Sequence, residues 1–334
     1  MPAGEPLRLP ADESPVLLPL VVVEEEFDWS EPFRRDAVSV RAVPLLERAQ
    51  AWFDEAGALP IYLVDYPVAD DPGAAEVVRG LAATGRARIG AHLHAWVTPP
   101  YEEVVSDHNS FSNNLEPELE GRKIHRLVER VEEVFGEKPL LYQAGRYGIG
   151  AQTPTFLRRE GIAIDLSPSP PFDYSFLGGP DYSHFPVHPA WLDEPGGVLS
   201  IPITGAFVGF LNGAGPRMYR FARSPRWRWT KLEPILSRVG AIERIRLSPE
   251  GFRLKELQRL TRHLLERGVR VFTLTFHSPS LMPGCTPYVQ DARDLANLES
   301  RIRGYLAWFL GELGGVSIDP LQLRERFGAQ LPRR

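Results

Sequence analysis

Cysteine is nearly absent from this chain. Cys285 is the only one among 334 residues, so no intrachain disulfide can form and no cysteine-rich zinc site exists. Long apolar runs are missing too. The run "VLLPLVVV" at 16–23 falls far short of the ~20 residues needed to span a bilayer, and it reads as a buried strand. Positive charge is not in excess: 38 Lys and Arg against 43 Asp and Glu give a net charge of -5, which argues against a general nucleic-acid binder. There is no Gly-rich phosphate loop, no G-x-S-x-G elbow and no H-E-x-x-H helix. The start, "MPAGEPLRLPADESP", is acidic and proline-rich, unlike a signal peptide. Together with the lone cysteine it predicts a cytoplasmic location and no transmembrane segment. The sequence does not specify an oligomeric state.

What the chain does have is globular: 43% hydrophobic and 24% charged residues, with 32 prolines that point to long, stiffened loops. Short apolar runs alternate with amphipathic stretches. Strands are expected at Val16–Val23, Pro60–Val64, Ala87–His92, Pro139–Tyr142, Ile162–Asp165, Val198–Ile203, Ile242–Leu247 and Val271–Phe276. Asp71-Pro72, Thr153-Pro154 and Ser248-Pro249 each read as an N-cap with proline at the first helical position. In "FRLKELQRLTRHLLERG" the residues Leu254, Leu257, Leu260, Leu264 and Leu265 form one apolar face. Ile124, Leu127, Val128, Val131 and Phe135 do the same in "RKIHRLVERVEEVFG", with His125 off the stripe in solvent.

Strand–helix alternation means parallel strands with crossover helices. The expected fold is an α/β class, distorted (β/α) barrel of about seven parallel strands, with long loops over its C-terminal mouth. Residues 1–15 would be an N-terminal extension, 16–315 the barrel and 316–334 a C-terminal tail. Barrel active sites sit at the C-terminal strand ends, so polar residues just beyond apolar runs are the candidates. Between Pro168 and Leu232 the periodicity lapses, and Phe172, Tyr174, Phe176, Tyr182 and Trp191 are expected to line the cleft.

"EEEFD" follows the first run. Alternation puts Glu24 and Glu26 on one face and Glu25 on the other, and three adjacent acids are relieved by a cation or a shared proton. "IGAHLH" puts His92 and His94 two apart at a strand end, a spacing that either chelates an ion with a carboxylate from elsewhere or marks two partnered rings. His277, beyond the last run, suits a general acid or base. "YQAGRYG" sets Arg146 and Tyr147 between glycines, where a backbone can approach a ligand closely. "RMYRFARSPRWRW" interleaves Arg217, Arg220 and Arg223 with Tyr219, Phe221 and Trp227, fitting phosphates or sugar rings, or equally a solvated arginine face.

In order, the acidic strand end, "IGAHLH", "AGRYG", "IAIDLSPSP" and "LTFHSPS" resemble the polysaccharide deacetylase (NodB-like, carbohydrate esterase family four) superfamily over roughly residues 16–310. "EEEFDW", "HLHAWVTPP" and "FHSPSLMPG" look like its WalW-like branch, associated with lipopolysaccharide biosynthesis. The resemblance implies a metal-dependent hydrolase that removes N-acyl groups from a carbohydrate substrate, with zinc as the usual ion. Carried onto this chain, it makes Glu24 the base, and Glu26, His92 and His94 the metal ligands. Trp96 stands where the family's second histidine usually lies. Arg146 and Tyr147 take over orientation and the oxyanion site, Asp165 orients the late histidine, and His277 protonates the leaving amine. The alternatives are a metal-free hydrolase of another C–N bond or a catalytically silent carbohydrate-binding protein.

Overall fold

A computed structural model describes residues 4–83, 85–209 and 243–331. Its organising element is β1 (Val16–Val23), all eight residues of which are buried. A strand covered on both faces needs no polar alternation, which is why this run is continuously apolar. Its side chains still divide by period two. Leu17, Val21 and Val23 face the helical layer, while Val16, Leu18 and Leu20 point into a second apolar cluster with Ile61, Leu141, Ile164 and Leu199, which fills the barrel. Each such aliphatic side chain is worth about 1.5–3 kcal/mol relative to exposure.

Around β1 the strands run in the order β10 (Val271–His277), β1, β2 (Ile61–Val64), β3 (Arg88–Leu93), β4 (Leu141–Ala144), β5 (Ile164–Asp165) and β7 (Leu199–Ser200). All six pairings along this path are parallel. This is the expected distorted barrel with about seven parallel strands. β6 (Ala190–Trp191) extends it antiparallel to β7. The seam between the last strands and β10 carries side-chain bonds. Thr204 N donates to Thr273 Oγ1 at 2.8 Å, and Thr273 N donates to Thr204 Oγ1 at 2.9 Å.

Crossover helices cover the outside. Pro72–Ala83 starts as expected, with Asp71 Oδ1 accepting from Ala74 N at 2.8 Å. Pro117–Phe135 buries Ile124, Leu127, Val128 and Val131, and the His125 side chain is 60% exposed. Two expected caps differ. Thr153 lies inside the helix Thr153–Arg159, its hydroxyl donating to Glu120. Ser248-Pro249 opens a turn, and the helix Leu254–Leu265 begins after Arg253.

Two further expectations shift. Ile242 lies outside the described residues, and Glu243–Arg246 (β9) does not join the barrel. It pairs antiparallel with β8 (Gly205–Val208), because its partner arrives directly from the β7 loop. The segment after 315 is packed: β11 (Val316–Ser317) pairs with β1, and Leu323 and Phe327 of the helix Pro320–Gly328 are buried in the barrel cluster. The arginine–aromatic stretch 217–229 lies outside the described residues. No helix among the described residues is long and apolar enough to cross a membrane.

Candidate functional site

The parallel strands end together, and their ends enclose a cavity of about 310 Å³. Register places the pieces: Val22 pairs with His277, and His92 with Gln143. Glu24, His92, His94, Arg146, Tyr147 and His277 all line this cavity.

β1 stops at Val23, and the three acids that follow diverge. Glu24 N donates to Ser278 Oγ at 3.2 Å, which anchors the residue beside β10. Its Oε2 lies 3.6 Å from His92 Nε2 and 3.4 Å from His94 Nε2. Its Oε1 is buried without a hydrogen-bond partner. Burial lifts the Glu24 pKa, an effect opposed by His277 and His94.

Glu25 was expected to face away from the site, yet it holds the site together. Its Oε2 meets His94 Nδ1 at 2.8 Å, and its Oε1 accepts from Trp96 Nε1 at 2.9 Å. Its backbone N–H donates to Asp65 Oδ2 at 2.8 Å. Burial pushes Glu25 up to about 8, with Asp65 opposing and Glu24 reinforcing the shift. Asp65 rises well above the carboxylate range through burial and its bond to Glu25. The Glu25–Asp65 pair therefore retains a proton at neutral pH. Sequence reasoning assigned Trp96 only the place of a missing histidine. Its ring stacks on His94 at 4.1 Å and its N–H fixes Glu25, so it positions His94 both directly and through Glu25.

Glu26 requires a correction. It was expected as a metal ligand, but strand alternation ends before it. Glu26 N bonds Ser39 O at 2.7 Å, the side chain accepts from Ala42 N at 2.7 Å and from the Ser39 hydroxyl, and Arg41 lies 3.4 Å away. Its carboxylate caps a neighbouring turn and does not face the histidines.

His92 and His94 present their Nε2 atoms to each other at 3.1 Å, and burial lowers both pKa values. With Glu24 they offer three ligand atoms within 4.8 Å of one another. Two neutral imidazoles, a carboxylate with an unpartnered oxygen and a carboxylate behind one histidine form a donor set suited to a divalent cation. Glu25, Asp65 and His94 form a second close group. Hydrogen bonds to Trp96, Val68 and the Glu25 backbone already engage its carboxylates, which makes it a supporting layer.

Opposite stands His277. Asp165 was expected to orient it, but Glu250 does: Glu250 Oε2 meets His277 Nδ1 at 2.8 Å, and Oε1 accepts from His277 N at 3.1 Å. Burial disfavours a charged ring, but Glu250 and Glu24 outweigh it and raise His277 to about 9. Asp165 instead accepts from Ser167 N at 3.2 Å, two residues along its own loop. Glu250 was legible in principle, as an acid just beyond the run "IERIRLSPE", but Ser248-Pro249 read as a helix start and drew attention from it.

The turn after β4 is strained. Arg146 and Tyr147 have φ of 53° and 62°, a region side chains other than glycine seldom occupy. Gly145 lets the turn lie against the histidines: a Cβ there would fall 2.4 Å from His94 Cδ2. Arg146 is tied to Ser110 and lies 4.1 Å over the Phe111 ring. Tyr147 stacks on Tyr174 at 5.5 Å. Of the loop aromatics expected at the mouth, Tyr174 lines the cavity, while Tyr182 and Trp191 are buried in the packing.

No protein-family model and no curated protein matches the sequence. Solved structures do match its shape. A protein described as a candidate polysaccharide deacetylase from Mycobacterium smegmatis is 16% identical with a TM-score of 0.57, over 100% of this chain and 97% of that one. Puue allantoinase is 13% identical with a TM-score of 0.57, over 96% and 93%. A second candidate polysaccharide deacetylase, from Pseudomonas aeruginosa PAO1, is 14% identical with a TM-score of 0.54, over 96% and 93%. At these identities the likeness establishes the fold: a mostly parallel, curled α/β sheet forming a distorted (β/α) barrel like that of the deacetylase structures.

Proposed function

We propose that this protein is a hydrolase of carbon–nitrogen bonds that removes N-acyl groups, acetyl first among them, from a saccharide. The observation that carries the reading is the opposition of two centres across one cavity, Glu24 with His92 and His94 on one wall and His277 with Glu250 on the other. The deacetylase and allantoinase neighbours support C–N hydrolysis on this fold. The WalW-like motifs support a place in surface polysaccharide or lipopolysaccharide metabolism, and the single cysteine suits a cytoplasmic one.

In this mechanism Glu24 Oε1 takes a proton from the attacking water. Burial favours the protonated carboxyl and so makes the carboxylate a stronger base. The water oxygen bonds to the acyl carbon, and the backbone of the Arg146–Tyr147 turn receives the developing oxyanion. His277, protonated at neutral pH, gives its proton to the nitrogen as the C–N bond breaks. A divalent ion, zinc by the resemblance, would be held by Glu24 Oε2, His92 and His94 and would supply Lewis-acid polarisation of the carbonyl and the water.

The test pairs elemental analysis of protein purified without chelator with acetate release from N-acetylated oligosaccharides. Stoichiometric metal and acetate release, both lost on chelation, are the expected results. Release without metal leaves a metal-free hydrolase with Glu24 as the sole activator. Oligosaccharide binding with no acetate released leaves a carbohydrate-binding protein and removes the mechanism.

A further inference from the structure

Arg246 is the last residue of β9, four positions before Glu250, and it lines the same cavity as His277. Its surroundings are unusual for a cation. Nη2 donates to Ser169 Oγ at 3.2 Å and to the Tyr174 hydroxyl, and Nε is sealed from solvent without a hydrogen bond. The guanidinium lies 4.3 Å over the Phe172 ring and 4.8 Å over that of Tyr147. The Tyr174 and Tyr288 phenols and the His277 ring line the same cavity beside it. Among the described residues no carboxylate forms an ion pair with it.

Lys123 shows how the same chain treats a cation with a purely structural task. Fully buried, it sits 3.0 Å from Glu103 and donates to the Ala95 and Thr98 carbonyls. Among the described residues Arg246 has no such counter-ion, although aromatic walls make an uncompensated charge costly. A cation left unneutralised beside a reaction cavity suits a ligand that brings the opposite charge.

We propose that the substrate carries an anionic oxygen group, carboxylate or phosphate, and that Arg246 recognises it. The inference rests on the hydrolase reading for the nature of the cavity, and it narrows the saccharide to an acidic or phosphorylated one. Arg246 and Glu250 then sit on one short segment, which sets the substrate's charged group and the proton donor in register.

Calorimetric titration of the intact chain with three sugars sharing one ring provides the test: N-acetylglucosamine, its 6-phosphate and N-acetylglucosaminuronic acid. At least one anionic sugar should bind about tenfold or more tightly than the neutral one, and the preferred anion tells phosphate from carboxylate. The preference should collapse in Arg246→Met, survive in part in Arg246→Lys, and weaken with added salt in the unmodified chain. If Arg246→Met does not fold, Arg246→Lys and the salt series carry the decision. Equal binding of all three sugars, or a preference indifferent to these changes, overturns the inference. If no sugar binds, inorganic phosphate at fixed ionic strength separates the two readings. Thermal stabilisation lost in Arg246→Lys keeps the anion site and removes the saccharide, and no stabilisation removes both.

Discussion

His94 and His277 each place Nδ1 2.8 Å from a glutamate, yet their charges at neutral pH differ. Burial lowers His94 despite Glu24 and Asp65, while Glu250 and Glu24 raise His277 to about 9 against the same burial. The difference lies in what else each glutamate serves. Glu25 also accepts from Trp96 and is coupled to Asp65, and its own pKa is pushed up to about 8, so it presents little net charge. Glu250 bonds His277 through both oxygens, with the Ser280 hydroxyl as its further partner, and its attraction favours the charged ring. One contact thus leaves a neutral imidazole on one wall and a protonated one on the other.

Removing the donor is the most damaging way to test this contrast. His277→Ala should lower kcat by ~10²–10⁴ while metal content stays unchanged. His92→Ala should lose metal and activity together. Equal metal loss in both variants would make His277 a ligand and erase the contrast between the walls.

Weakening the charge behind the donor comes next. In Glu250→Gln the ring keeps its burial but loses the carboxylate, so its pKa should fall. The alkaline limb of kcat/KM, expected near pH 9 from His277, should move toward neutral, with a loss of about 10–100-fold at pH 8. An unmoved limb would show that another group sets it.

The equivalent change on the other wall should act differently. Glu25→Gln leaves His94 in place but removes an ionisable partner, and metal affinity should fall about 10–100-fold. The alkaline limb should stay where it is. A shift of that limb instead would mean that the two walls titrate as one system.

These residues were not equally legible. The strand ends were, because buried parallel strands are continuous apolar runs and their C-terminal ends carry the polar residues; this anticipated that Glu24, His92, His94 and His277 share one cavity. Period-two reasoning failed at Glu25 and Glu26, because β1 stops at Val23 and each acid then follows its own backbone partner. Glu250 was hidden by a real local signal, since Ser-Pro begins turns as readily as helices. Trp96 and Asp65 act through contacts 71 and 40 residues distant in sequence from Glu25, and a single chain read along its length offers no sign of those.

Asp165 gives the smallest effect and isolates Glu250's role most sharply. It bonds Ser167 N and the Ser167 hydroxyl and not His277, so Asp165→Asn should change kcat/KM by less than about threefold and leave the alkaline limb in place. Its signature should appear in stability. Burial raises the Asp165 carboxyl to about 7, opposed by its bonds to Ser167, so between its unfolded value near 3.8 and pH 7 the folded state binds more protons than the unfolded one. Stability contributed by this group therefore falls as pH rises through that window, and the fall is complete above it. Asparagine accepts the same Ser167 bonds but cannot ionise. The variant's melting temperature relative to the unmodified chain should climb from pH 4 to pH 7 and then level off. A flat difference across that range would place the ionised carboxylate in a favourable environment, and loss of the alkaline limb would return Asp165 to the role that Glu250 holds.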